Sequence, residues 1–319
     1  MSKLYAIGEL LIDFQSVGMG NLKETKQFVK NAGGAPANVC VQAVKLGCQA
    51  AYLTKVGNDG FGEFLIQTLL DEGVDTSFIS KSCDYDTSLA FVSFQQNGER
   101  EFSFYRRAAA DLHFSPEDFK GVNFCKGDIF EYGSVALKTE QARETHIYLI
   151  EKAMSAGTLI CFDPNLRFNL WESKEELRRT VAEFAKYAHV IKVGLDELEF
   201  ITGERGDSAV QKMFNGNLKL LLVTDGGKGA KVYLADGRSY ACGGFKVKTV
   251  DTTGAGDSFF GAFIAQLLEA KAAPENVLNS DADYEKMLEF ACKCGAYTTA
   301  GYGAIPAMGD RKNVEKAVK

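Results

Sequence analysis

Short β-prone runs alternate with helical patterns along most of this chain, and no other feature restricts its fold so strongly. Strands are expected at 4–8, 50–56, 158–163, 189–193 and 218–224. Helices are expected at 35–46, 61–70, 139–156, 175–187 and 196–202. The first two end at Gly47 and near Gly73. A strand–helix–strand order pairs strands in parallel, and parallel sheets are covered on both faces. The chain therefore predicts an α/β fold with a mostly parallel central sheet between two helical layers. Its 319 residues, 46% of them hydrophobic, suffice for one large α/β domain or for two smaller ones.

One stretch breaks the alternation. Residues 89–96 and 99–106 are β-prone and flank Asn97-Gly98, a strong hairpin signal. With 14–17 and 26–30 they predict a small antiparallel sheet apart from the main one, serving as a lid or an interface. An edge hairpin of the main sheet is the other reading.

Several functions are excluded by what surrounds these elements. The net charge is −6, and no long basic run offers a surface to nucleic acid or to anionic membrane. The N-terminal stretch is broken by Glu9 and Asp13 and is no signal peptide. No apolar run reaches the ~18 residues of a membrane span. A soluble, cytoplasmic protein is expected. The eight cysteines lack a C-x-x-C spacing and sit mostly in apolar segments, so reduced thiols are expected. The three histidines form no H-E-x-x-H, and no G-x-S-x-G occurs.

Two bare stretches carry the chemistry. Asp251-Thr252-Thr253-Gly254-Ala255-Gly256-Asp257 runs straight into an apolar helical pattern. Free backbone N–H groups at a helix start meet anions, and small side chains let a phosphate approach. Asp257 falls in the first turn, where the helix dipole favours its ionised form. A carboxylate beside an anion hole suits phosphoryl transfer, orienting and deprotonating an attacking hydroxyl. Taken alone, G-A-G-D reads equally well as a turn with Asp257 as a capping residue. The second stretch is Asn31-Ala32-Gly33-Gly34-Ala35-Pro36-Ala37-Asn38. Alone it reads as a helix start with Pro36 in the first turn.

Together the two stretches resemble the paired signatures of the ribokinase-like (phosphofructokinase-B) family of sugar kinases. Further landmarks follow in the family's order: Gly8-Glu9 with Asp13, Val56-Gly57-Asn58-Asp59-Gly60, Asp163-Pro164-Asn165-Leu166-Arg167, Lys192 to Glu197, and Val223-Thr224-Asp225-Gly226-Gly227. The resemblance covers residues 3–309. It implies one kinase domain over 1–319, with a β-lid formed by segments near 14–30 and 87–107.

The resemblance also implies roles. Asp257 is the expected catalytic base, with Gly254, Ala255 and Gly256 as the anion hole. Asp13, Gly33, Gly34 and Asn38 are expected at the sugar, where carboxylate and carboxamide match paired hydroxyls. Lys192, Glu197, Thr224, Gly226, Gly229 and Cys292 join Gly254 and Gly256 on the ATP side. Glu197 is expected near Mg²⁺ through water, because Mg²⁺ keeps several waters. Asp251 and Thr253, with carbonyls around 298–307, match a site for a monovalent cation such as K⁺. Two positions depart from the family pattern: Gly194 and Cys292 stand where asparagine is frequent. Lid-mediated homodimers occur in the family.

Phe104-Tyr105-Arg106, Ala110-Asp111 and Leu170-Trp171 resemble the fructokinase branch. The implied reaction moves the γ-phosphoryl of ATP to the 6-hydroxyl of fructose. The 2-keto-3-deoxygluconate kinases share the aromatic-Tyr-Arg and D-P-N-x-R stretches. In that reading Arg106 and Arg167 grip a substrate carboxylate through bidentate contacts. A non-catalytic sugar- or nucleotide-binding protein would lack the intact Asp257 loop.

Overall fold

The structure, a computed structural model, describes residues 2–94, 100–279 and 282–318. Strand β1 (Lys3–Ile7) leads directly to β2 (Leu11–Met19) and β3 (Phe28–Gly33). Helix α1 (Ala35–Lys45), β4 (Gln49–Gly57), α2 (Gly60–Asp71) and β5 (Ile79–Ser82) follow. Next come β6 (Ser88–Phe94) and β7 (Arg100–Tyr105). The middle runs β8 (Ile129–Gly133), α3 (Glu140–Ser155), β9 (Leu159–Asp163), α4 (Lys174–Ala185) and β10 (Val190–Gly194). Then come α5 (Leu195–Thr202), α6 (Gly206–Met213), β11 (Leu220–Thr224), β12 (Gly229–Leu234) and β13 (Ser239–Gly243). Helices α7 (Ala255–Glu269), α8 (Tyr284–Thr298) and α9 (Arg311–Ala317) finish the chain.

Nine strands form the main sheet in the order β13-β12-β11-β10-β9-β8-β1-β4-β5. The pairs from β11 through to β5 are parallel, as the alternation predicts. Successive strand residues point to opposite faces. Leu4 and Ala6 enter the core under α1, α7 and α8, while Tyr5 and Ile7 enter the core under α3 and α4. The same split holds for Leu159 and Cys161 against Ile160 and Phe162. These strands are apolar on both faces, which explains why they read as unbroken hydrophobic runs.

At the far edge β12 runs antiparallel to both β11 and β13, within the mostly parallel sheet that was expected. One expectation needs correction. The small sheet, in the order β3-β2-β6-β7, is mixed and not antiparallel throughout, since β2 and β6 run parallel. The cause is topological: β1 and β5 run parallel and both leave the main sheet at its carboxyl end, so the strands that continue from them share a direction. The expected Asn97-Gly98 turn lies outside the described residues.

One face of the small sheet packs on α2, through Phe14 against Phe61 at 5.7 Å and Lys30 over the Phe64 ring at 3.7 Å. The opposite face carries Asp13, register partner of Asn31, and Gly33. Helix α7 is apolar almost all round and lies between α1 and α8. Burial of Phe260, Phe263, Ile264 and Leu267 stabilises it by roughly 1.5–3 kcal/mol each. That anchorage fixes the loop that precedes it. Gly261 allows the closest approach: a Cβ there would lie 2.7 Å from Val39 O of α1.

Candidate active site

The carboxyl ends of the parallel strands and the N-termini of α1 and α7 converge on one region, the usual ligand position in an α/β sheet. Gly254 caps α7 in the left-handed region at φ 76°. A Cβ there would fall 2.4 Å from Ala304 Cβ, so the loop cannot accept a side chain at this point. The first helical bond runs from Ser258 N–H to Gly254 O at 2.8 Å. The Gly256 and Asp257 amides precede it, and the Ala255 amide makes only a long 3.4 Å bond to Thr252 O. Beneath them lies Lys192, whose Nζ is 3.1 Å from where a Gly256 Cβ would stand.

Lys192 is buried on β10 and pairs with buried Asp163 of β9 at 2.9 Å. Burial works against its charge, but Asp163, Glu197 and Asp257 outweigh it and hold its pKa above the usual lysine value. Sequence reasoning gave Asp163 no role. The signal was present, because a charged residue inside an all-apolar parallel strand needs a partner.

Asp257 accepts a 2.8 Å hydrogen bond from Asn38 Nδ2. Burial raises its pKa, opposed by Lys192, the Asn38 bond and Arg167. A carboxyl raised toward neutrality is a stronger base once ionised. Around this pair α1 and α7 are tied again, by Ser258 Oγ to Gln42 Oε1 at 2.8 Å, and Gln42 Nε2 also donates to Gly309 O of the segment before α9 at 3.1 Å.

Asp13 lies across the cleft from Asp257. Burial pushes its pKa up to about 6, Arg167 pulls it down, and Asp257 and Asp251 add to the rise. Gly33 has room for nothing else: a Cβ would meet Asp13 Oδ2 at 2.2 Å. Gly34, at φ 131°, would clash with Glu9 O at 2.3 Å. Both glycines thus bring backbone against the cleft.

Arg167 is exposed and acts on both Asp13 and Asp257. Its turn is held by Asn165 in the left-handed region at φ 43°, by Asn165 N–H to Asp163 Oδ1, and by Leu166 N–H to Glu197 Oε1. The D-P-N-L-R stretch is therefore a structural clamp as well as a source of charge. Arg106 is placed differently. It is buried, paired with Asp111 at 3.0 Å, and bonded to Val135 O at 2.9 Å. Asp111 also accepts from Ser88 Oγ at 2.6 Å.

Glu197 caps α5, accepting from Gly194 N–H at 2.8 Å and Leu166 N–H at 2.7 Å. The glycine that departs from the family pattern thus contributes backbone to the site. Asp251 accepts from Thr253 N–H and Oγ at 3.0 and 2.7 Å, and from Gly303 N–H at 3.0 Å. It therefore joins the anion loop to the segment after α8. No three His, Cys, Asp or Glu side chains cluster to cage a metal among the described residues.

A cavity of about 640 Å³ extends from the anion loop, lined among others by Thr224, Gly226, Gly229, Gly256, Phe259 and Cys292. Five of the expected ATP residues therefore share one space, while Gly254, Lys192 and Glu197 lie outside its lining. Gly229 is required there, since a Cβ would lie 2.0 Å from Cys242 O.

Residues 1–310 match the family described as pfkB family carbohydrate kinase. The chain is 41% identical over 308 residues to fructokinase-2 of Solanum lycopersicum, covering 96% of this chain and 92% of that protein. It is 40% identical to probable fructokinase-4 of Arabidopsis thaliana, covering 100% and 97%. A fructokinase from Xylella fastidiosa with bound ATP superposes with a TM-score of 0.88 at 29% identity, covering 99% and 97% of the two chains. A fructokinase from Vibrio cholerae O395 with fructose, ADP and calcium ion bound gives 0.88 at 31%, covering 100% and 99%. By the match over residues 1–310 and these identities, the chain belongs to the pfkB family of carbohydrate kinases.

Proposed function

We propose that this kinase is an ATP-dependent fructokinase that makes fructose 6-phosphate. The reading is carried by Asp257 in the first turn of α7, held by Asn38 beside the bare Gly254–Gly256 loop. Asp257 takes the proton of the sugar 6-hydroxyl as its oxygen bonds to the γ-phosphorus. The bond from that phosphorus to the β–γ bridging oxygen breaks, and its electron pair leaves with ADP. The Gly256 and Asp257 amides, with the Lys192 charge beneath them, meet the negative charge on the moving phosphoryl oxygens. Glu197, with both oxygens already fixed by backbone, fits a water-mediated contact to Mg²⁺, which neutralises phosphate charge when bound. Asp251, Thr253 and carbonyls from 298–307 fit a K⁺ site that adds positive charge under the loop.

Asp13, Gly33, Gly34 and Asn38 bind the sugar in this reading, and Arg167 sets the potential between Asp13 and Asp257. The Arg106–Asp111 pair favours a neutral sugar over a keto-acid. A guanidinium already matched by a buried carboxylate has little left for a second anion. We read residues 1–319 as one kinase domain and the small sheet as its lid, closing to exclude water as a competing acceptor. Exposed Val17, Met19, Val29, Phe102 and Tyr105 on that sheet support pairing of two lids in a homodimer. Eight unpaired cysteines suit the reducing cytoplasm, and no helix among the described residues is long and apolar enough to cross a membrane. Phosphorus NMR of the product from fructose and ATP tests the reaction: a 6-phosphate supports it, and a 1-phosphate or no sugar phosphate contradicts it.

A further inference from the structure

Two thiols meet where the edge of the main sheet packs on α8. Cys242 lies on β13 and Cys292 on α8. Side chains alternate along β13, so Tyr240 and Cys242 turn inward while Ser239, Ala241 and Gly243 are exposed. Tyr240 packs near Tyr284 of α8, with ring centroids 6.5 Å apart. At the next inward position Cys242 is hydrogen-bonded to Cys292. A backbone hydrogen bond also ties Cys292 to Ala230, the register partner of Cys242. Neither sulfur is in a disulfide. Cys292 is buried and lines the large cavity beside Gly229 and Ala230, whereas Cys242 is half-buried.

A thiol with a second thiol in contact differs from a lone one, because the second displaces whatever the first has bound. Cys242 reacts first. It is the more exposed, and the shared hydrogen bond favours its thiolate. Burial raises its pKa and Glu289 adds to the rise, while the Cys292 bond and Lys293 oppose it. Burial also raises Cys292, and there the contact with Cys242 adds to the rise. Cys292 is therefore the S–H donor of the pair and Cys242 the acceptor.

We propose that Cys242 and Cys292 form a reversible switch, closed to a disulfide by a small-molecule disulfide and weakening ATP binding when closed. The Cys242 thiolate attacks one sulfur of the oxidant R–S–S–R, and RS⁻ leaves with the electron pair of the broken bond. Cys292 sulfur then attacks Cys242 Sγ and expels the second RS⁻. The protein thiols lose two electrons, the oxidant gains them, and the two thiol protons end on two RSH. A disulfide holds its sulfurs about 2.05 Å apart, against about 3.5–4 Å for atoms in van der Waals contact. Closure thus draws β13 and α8 together by on the order of 1 Å. Strand β12 has no slack to absorb this, since a Cβ at Gly229 would lie 2.0 Å from Cys242 O. The cavity wall at Gly229, Ala230 and Cys292 narrows, and KM for ATP is expected to rise roughly tenfold. By linkage, saturating ATP favours the open dithiol by the same factor, which is about 30 mV in its reduction potential. The effect on ATP rests on reading the cavity as the nucleotide site of a sugar kinase.

The test treats the full chain with bis(2-hydroxyethyl) disulfide, blocks remaining thiols with iodoacetamide and digests with trypsin without reduction. Cleavage after Arg238, Lys246, Lys286 and Lys293 puts Cys242 in peptide 239–246, Cys292 in 287–293 and Cys294 in 294–311. A cross-link between 239–246 and 287–293 is expected, formed more slowly in the presence of ATP and reversed by dithiothreitol. The cross-linked protein is expected to show a roughly tenfold higher KM for ATP and an unchanged KM for fructose. Cys242→Ser, at a half-buried edge position, is expected to show neither change. Mixed disulfides at the exposed Cys83 and Cys125 without that cross-link overturn the switch. A cross-link that leaves KM for ATP unchanged overturns the effect on the nucleotide. If the reduced protein makes no sugar phosphate, the kinase reading fails, and the peptide map with and without ATP still decides for or against the thiol pair.

Discussion

Asn38 Nδ2 donates to Asp257 Oδ2 across 2.8 Å, joining the first turn of α1 to the first turn of α7. The two Gly-rich stretches, more than two hundred residues apart, are thereby one site. The bond favours the ionised carboxylate and opposes the burial that raises its pKa.

Removing either partner separates basicity from binding. Asp257→Asn is expected to lower kcat by roughly 10²–10⁴-fold with little change in sugar affinity. Asn38→Ala leaves the base in place but takes away a stabilising donor, so the acidic limb of kcat moves to higher pH. Its kcat at neutral pH is expected to fall about 10–100-fold, the worth of a hydrogen bond to a charged group. Steady-state pH profiles check both; near-normal turnover in Asp257→Asn contradicts the base assignment.

Asp13 titrates at about 6 because burial and the neighbouring Asp257 and Asp251 outweigh Arg167. Above that pH the carboxylate accepts sugar hydroxyls; below it, an acceptor is lost. KM for sugar is expected to rise as pH falls through about 6, more steeply than kcat changes. Asp13→Asn should show a high KM with that pH dependence removed. A KM that stays flat down to about pH 5 in the wild type contradicts this role.

Gly254 combines φ 76° with a Cβ position 2.4 Å from Ala304 Cβ. Gly254→Ala must therefore push the anion loop off the segment held by Asp251 and Gly303. A displacement of about 1 Å is expected to cost on the order of 10²-fold in kcat, with sugar binding largely kept. Calorimetric titration of sugar beside turnover separates the two effects; equal losses in both argue for general unfolding instead.

Glu131 lies at the centre of the main sheet, with Oε2 lacking a hydrogen-bond partner. Burial pushes its pKa well above the ordinary 4.5, and Asp163, Glu9 and Asp257 add to the rise against Lys192. The folded state therefore holds a proton that the unfolded chain releases above about pH 4.5. Stability from this group falls as pH rises from there toward the raised folded value, by up to about 1.4 kcal/mol per pH unit. Glu131→Gln keeps the neutral shape and should gain stability over wild type as pH increases. Urea unfolding near pH 6 and pH 8 checks it; a pH-independent difference contradicts it.

The alternation of strands and helices was legible because most parallel strands are buried on both faces and helices such as α2, α3 and α4 begin at capping side chains, Asp59, Thr139 and Ser173. The anion loop was legible only together with the Gly33-Gly34 stretch, because alone it reads equally well as a turn with Asp257 as a capping residue. Asp163 and Lys192 were visible as charges in apolar strands, but their pairing is a cross-strand contact that local pattern does not state. The Arg106–Asp111 pair was hidden for the same reason: a five-residue spacing does not tell whether an arginine faces a ligand or folds back on its own loop. The parallel β2–β6 pair depends on where β1 and β5 leave the main sheet. No pattern within either strand records that.

The central claim is the choice of sugar, and it is tested most directly by ADP release with Mg·ATP and K⁺ for D-fructose, 2-keto-3-deoxygluconate and D-ribose under identical conditions. A kcat/KM for fructose at least about tenfold above the others, a margin of about 1.4 kcal/mol, is the predicted result. Preference for the keto-acid would contradict it and would mean that Arg106 exchanges Asp111 for the substrate carboxylate.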